Sequence, residues 1–126
     1  MAYDEPQAAR VRQSLAARSD VDEQPMFGGL TFMVAGNMCC GVNRNDLIIR
    51  LAAGTALGDL HSPHAREWDL MKRPMRGIFA VSAEGCATQK AVDQWVKQAL
   101  RHALSLPPKQ RQAAKMRGRG LPKTMG

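Results

Sequence analysis

The most constraining feature of this chain lies near its end. Val92, Trp95, Val96, Ala99, Leu100, Ala103 and Leu104 recur at the i, i+3, i+4, i+7 spacing of a helix, with Thr88 as N-cap and Pro107-Pro108 as its stop. A helix with one apolar stripe cannot bury it alone, so the rest of the chain must supply an apolar surface. Residues 21–51 do so with a different period. Leu30, Phe32 and Val34 alternate with Thr31 and Met33, and Met38, Cys40 and Val42 alternate with Cys39 and Gly41. A period of two is that of strands with one face buried. Gly36-Asn37 supplies a tight hairpin between these runs, Asn43–Asp46 the next turn, and Leu47-Ile48-Ile49-Arg50-Leu51 a further strand. Val21–Met26 is the candidate first strand.

The remaining segments extend this plan. Asp4 caps an N-terminal helix with Pro6 in its first turn and Ala8, Val11 and Leu15 on its apolar face. Residues 54–61 suit two helical turns before Ser62-Pro63, and Trp68–Leu70 and Gly77–Ser82 read as two strands joined by a basic turn over residues 71–76. The expected fold class is therefore α+β: an antiparallel sheet covered by helices, ordered helix, three or four strands, short helix, two strands, helix. Residues 1–108 form one domain and residues 109–126 a flexible basic tail. With six aromatic residues in 126, the core must be mainly aliphatic.

The net charge of +7 suggests a polyanion partner until its position is traced. Six of the 18 basic residues (Lys109, Arg111, Lys115, Arg117, Arg119 and Lys123) fall after Pro108 with no acidic residue among them, leaving 12 basic against 11 acidic residues before them. The domain itself is near neutral. Three cysteines, Cys39, Cys40 and Cys86, give neither a disulfide framework nor metal-ligand spacing. The acidic start at Asp4-Glu5 does not suit a signal peptide, and no run of 18 apolar residues occurs. The expectation is a cytoplasmic protein with no membrane partner.

Each constellation with chemical potential has a plainer structural reading. Met26-Phe27-Gly28-Gly29 lacks the glycine pattern and following helix of a phosphate-binding loop, and reads as a turn or bulge. Cys39 and Cys40, adjacent on a strand, should point to opposite faces, leaving at most one buried. His61 and His64 are two candidate zinc ligands without a third, and Asp20, Asp22 and Glu23 lack the spacing of a calcium loop. No serine stands on a glycine-flanked elbow, and no cysteine has recognisable His and Asp partners. The expectation is no enzyme, no cofactor and no metal. Two basic features remain as nucleic-acid candidates: Lys72, Arg73 and Arg76 around Pro74, and the six tail residues, whose Arg-Gly-Arg-Gly run offers phosphate contacts with little base specificity. Arg50 is the alternative case, a strand residue suited to an ion pair.

The ordered run of motifs carries a resemblance. Met1-Ala2-Tyr3-Asp4, Met26-Phe27-Gly28-Gly29-Leu30-Thr31-Phe32-Met33, Gly36-Asn37-Met38-Cys39-Cys40-Gly41-Val42, Asp46-Leu47-Ile48-Ile49-Arg50, Arg73-Pro74-Met75-Arg76-Gly77 and Trp95-Val96 follow one another as in the N-terminal domain of the TfoX/Sxy family. The chain resembles that domain over about residues 1–108. The resemblance implies an α+β fold of secretion-chaperone-like arrangement and no catalytic residues. It singles out the turns at Met26, Phe27, Gly28 and Gly29 and at Pro74, Met75 and Gly77. Two-domain members regulate natural competence in bacteria with a transcription activator; residues 109–126 are too few for the second domain, so only the domain-level role is expected to carry over. The expected partners are DNA or a transcription-regulatory protein. The alternative is a protein-interaction module, a homodimer in its simplest form.

Overall fold

A computed structural model describes residues 3–26, 28–70 and 73–108, with backbone alone for 69–70 and 73–75. The elements are α1 (Glu5–Ser14), β1 (Val21–Met26), β2 (Gly29–Val34), β3 (Asn37–Asn43), β4 (Asp46–Arg50), β5 (Ala65–Leu70), β6 (Arg73–Val81) and α2 (Gln89–Ser105), with short 3-10 helices at Leu57–Leu60 and Ala83–Cys86. The strands form one antiparallel sheet in the order β1-β2-β3-β4-β6-β5. Both α-helices start as their sequences dictate. The Asp4 carboxylate accepts from the Gln7 N–H at 3.1 Å, and the Thr88 hydroxyl from the Ala91 N–H at 3.1 Å, each satisfying a donor that the helix cannot.

The two helices share one face of the sheet. Leu30, Phe32, Val34, Val42, Leu47, Ile49, Phe79 and Val81 meet Ala8, Val11 and Leu15 of the first helical segment and Val92, Trp95, Val96, Ala99 and Ala103 of α2 in a single buried core. Each large aliphatic or aromatic side chain moved out of water there contributes about 1.5–3 kcal/mol. The helices are also joined by polar contacts: the Gln89 side-chain amide donates to the Arg10 carbonyl at 2.8 Å and to Asp93 at 2.8 Å, and the Ser14 hydroxyl donates to the same carboxylate. These two donors hold the Asp93 carboxyl below its usual range. On the opposite face Ile48, Ile78 and Ala80 form a second, smaller cluster edged by Met38 and Trp68.

Several local expectations are corrected. The β2–β3 loop is Ala35-Gly36 rather than Gly36-Asn37, because Val34 pairs with Asn37 and both loop residues carry the positive φ (51° and 83°) that such a turn requires. Asn37 is instead a buried strand residue whose side-chain amide donates to the Pro107 carbonyl at 3.0 Å. Cys39 and Cys40 are both buried on the helix side. Phe32 pairs with Cys40 and Met33 with Met38, so Cys39 is an extra residue in β3, and this bulge breaks the alternation that would have separated the two thiols. Their contact and burial push the Cys40 thiol well up, away from thiolate chemistry. The segment 54–61 makes a single 3-10 turn, and Leu104 is 47% exposed, because α1 flanks α2 only as far as the region of Leu100.

The supposed basic turn is mostly strand. Arg73–Gly77 belong to β6, where Leu70 pairs with Arg73 and Asp69 with Pro74, while the neighbouring β4 reaches only the Arg50–Ile78 pair. Residues 73–76 therefore run past the end of β4 as one side of a two-stranded arm, which is why a proline is tolerated in the strand. Gly77 sits at the root of the arm with φ 76°, its carbonyl accepting from the Leu51 N–H at 2.7 Å. A Cβ there would lie 2.5 Å from the Leu51 carbonyl oxygen and 2.9 Å from that of Ala52. Gly77→Ala should cost about 1–3 kcal/mol through backbone strain alone, with further loss from the clash, measured by urea denaturation. Gly58→Ala, whose added Cβ meets nothing within 4 Å, is the control and should stay within about 1 kcal/mol of the parent.

Candidate nucleic-acid interface

The antiparallel register gives the sheet two ends. Met26, Gly29, Asn43, Asp46, Ala65 and Val81 mark one, and Val34, Asn37, Arg50 and Ile78 the other. The first holds the Met26–Gly29 turn. Gly29 is obligatory there, since a Cβ would lie 2.3 Å from the Val42 carbonyl oxygen, and Gly28 adopts φ 77°. This is the structural reading of the turn, and Phe27 lies outside the described residues. The Pro74–Gly77 motif is at the opposite end, so the two family-motif turns do not form one site.

The second end gathers the basic groups. The β5–β6 arm begins there with Arg76 exposed, Arg50 closes β4, and α2 delivers Arg101 and His102 one turn before the chain leaves at Pro107. The arm extends beyond the sheet by about 10 Å, the reach of three β5 residues at about 3.3 Å each. Lys72 and the six residues Lys109, Arg111, Lys115, Arg117, Arg119 and Lys123 lie outside the described residues, as do the side chains of Arg73, Pro74 and Met75. The Asn37–Pro107 hydrogen bond fixes Pro107 at this end of the sheet.

Ion pairing engages some surface cations and leaves others, Arg10, Arg44, Lys90 and Lys97 among them, without a salt bridge among the described residues. Arg12 pairs with Glu23 and Glu5, Arg18 with Asp20, and Arg66 with Asp46. Hydrogen bonds donated to the Glu23 carboxylate hold the Arg12 guanidinium charged beyond its usual range, and those to Asp20 do the same for Arg18. Arg50, Arg76 and Arg101 make no ion pair among the described residues, contrary to the expectation that Arg50 would find one. Their guanidinium groups can neutralise phosphates. His102 is pushed down by its burial and then by the positive charge of Arg50. Arg101 and His102 escaped sequence reasoning, although cations in the last turn of a helix are a recognisable pattern.

The other candidates stay apart from this end. His61 and His64 are exposed in the loop before β5, and among the described residues no three His, Cys, Asp or Glu side chains gather as a metal site. Cys86 is buried with the Gln7 side-chain amide at 3.0 Å, and burial raises its thiol. No helix among the described residues is long and apolar enough to cross a membrane.

The family model described as the TfoX N-terminal domain matches residues 13–103. The chain belongs to the TfoX N-terminal domain family. The match spans every strand and most of α2 of this TfoX N-terminal domain, with only the last two residues of α1, and the six-stranded α+β fold agrees with what the resemblance implied. The TfoX N-terminal domain is not a known enzyme family, and it points to a module of competence-regulator type. No curated protein and no solved structure matches the chain.

The depressed His102 gives a pH dependence with a definite sign. Its folded pKa lies below the unfolded value of 6.5, so the unfolded chain binds more protons once pH falls below about 6.5. The stability associated with neutral His102 is present above that value and lost as pH drops toward the folded pKa. His102→Gln should therefore lose less stability than the parent between about pH 7 and pH 5, compared by urea denaturation at each pH.

Proposed function

We propose that this domain is a non-enzymatic bacterial regulatory module that binds nucleic acid through its basic end. The observation that carries this reading is the convergence at one end of the β5–β6 arm, of Arg50 and Arg76, which make no ion pair among the described residues, and of Pro107, after which the sequence holds six basic residues over 109–123. A two-stranded ribbon is one of the two elements that fit the major groove of duplex DNA. The sequence at the arm, Met71-Lys72-Arg73-Pro74-Met75-Arg76, supplies three cations, and residues 109–123 supply the sequence-independent phosphate contacts. Membership of the TfoX N-terminal domain family supports a role beside a transcription activator in a cytoplasmic setting.

A second reading, a protein-interaction module or homodimer, is favoured by the helix-free face of the sheet. There Met38 and Trp68 edge the apolar cluster of Ile48, Ile78 and Ala80. One experiment separates the two readings. Fluorescence anisotropy of a short duplex across a salt series should give a log–log slope for the six terminal contacts of at most roughly −5, from about −0.9 per phosphate. Replacing Lys109, Arg111, Lys115, Arg117, Arg119 and Lys123 with Gln should remove most of that slope, and Arg76→Gln should weaken binding further. Absence of binding at low salt, or affinity unchanged by both sets of substitutions, would contradict the nucleic-acid reading and leave the protein-interaction module.

A further inference from the structure

A groove of about 440 Å³ lies between the C-terminal half of α2 and the segment that follows β4. Its volume falls in the range of small-molecule sites, about 300–1,000 Å³. Leu51, Ala52 and Leu60 supply apolar wall, while Thr55, Gln98, Arg101 and His102 bring polar groups to it. Gln98, Arg101, His102 and Ser105 stand at i, i+3, i+4 and i+7, so one face of α2 serves the groove along two turns.

The charges around His102 favour an anion. Arg50 approaches from β4, Arg101 lies on the same helix turn, and Asp59 is the carboxylate lining the groove. One oxygen of Asp59 already accepts the Ala56 N–H at 2.9 Å. The carbonyls at the end of α2 carry about half a negative charge in all. Two of them are occupied: His102 accepts from the Ser105 hydroxyl at 2.6 Å and Ala103 from the Leu106 N–H at 3.3 Å. Two guanidinium groups without ion-pair partners among the described residues outweigh these negative contributions. The lowered proton affinity of His102 comes first from its burial and then from the positive charge of Arg50.

We propose that this groove binds a small phosphomonoester, its dianionic group held by Arg101 and His102 with Arg50 behind them, and its carbon skeleton lying on Leu51, Ala52 and Leu60. The groove shares Leu51, Arg101 and His102 with the basic end, so the test below uses small anions alone and its outcome stands apart from that of duplex binding. Bound dianion favours protonated His102, so binding strengthens as pH falls, provided the ligand keeps its own charge. Sulfate meets that condition and is the first probe, with phenyl phosphate as the second for the apolar wall.

The test follows the imidazole NMR signals of His61, His64 and His102 in the full chain. Sulfate, compared with chloride at equal ionic strength across about pH 5.5–7.5, should raise the His102 titration midpoint by about one pH unit, a tenfold change in proton affinity, and leave His61 and His64 in place. Phenyl phosphate at about pH 7.5 should move the His102 signal saturably and bind more tightly than sulfate. Arg101→Gln, an exposed position whose replacement leaves the core intact, should weaken both ligands about tenfold. Equal effects of sulfate and chloride, equal movement of all three histidines, a response to phenyl phosphate that does not saturate or is no tighter than sulfate, or unchanged affinity in Arg101→Gln would each overturn the proposal.

Discussion

The structure depends on the packing of one helix face against one sheet face. Val92, Trp95, Val96, Ala99 and Ala103 cannot leave water without Phe32, Val42, Leu47, Ile49 and Phe79 beneath them, and those strand residues cannot leave water without the helix. Directional contacts then fix how the two layers sit. The Trp95 indole N–H donates to the Gly85 carbonyl at 3.0 Å, which ties the start of α2 to the turn after β6. At the other end of the helix Asn37 holds Pro107. Between these points the direction of α2 is set, and with it the place where Arg101 and His102 appear and where the chain continues.

The same layering decides where charge can stand. Among the described residues no fully buried one is an Asp, Glu, Lys or Arg, and several carboxylates are engaged with basic residues: Glu5 and Glu23 with Arg12, Asp20 with Arg18, Asp46 with Arg66. Exposed pairs of this sort contribute at most about 1 kcal/mol each, so they stabilise the fold little. Their larger effect is on the surface potential, because they cancel Arg12, Arg18 and Arg66; among the described residues Arg50, Arg76 and Arg101 stand at one end without such a pair, while Arg10, Arg44, Lys90 and Lys97 lie elsewhere on the domain. A chain whose first 108 residues are nearly neutral thus still presents a basic end.

The hydrophobic periods made the architecture legible. A period of 3.6 in residues 92–103 and of two in residues 30–49 indicated a helix on an antiparallel sheet, and the caps Asp4 and Thr88 marked where the helices begin. What the periods could not reveal was produced by pairing between distant segments. The bulge at Cys39 exists because β2 and β3 must stay in register on both sides of it, and strict alternation has no means of signalling the extra residue. Asn37 resembles a turn residue by type, yet its amide is needed by Pro107, seventy positions along the chain. The candidate site was half visible. Arg76 and the run from Lys109 to Lys123 stood out as local charge, whereas Arg50, Arg101 and His102 come to the end that bears Arg76 only through the sheet order and the direction of α2.

The central claim is that the end of the sheet bearing Arg50, Gly77 and the β5–β6 arm is where nucleic acid docks. Amide chemical-shift mapping of the full chain with a short DNA duplex tests it most directly. The expected result is perturbation at Arg50, Leu51, Arg76, Gly77 and residues beyond Pro108, with Met26, Gly28, Gly29 and Asn43 at the opposite end of the sheet unchanged. Perturbation centred on that opposite end, or spread evenly over the surface, would contradict it.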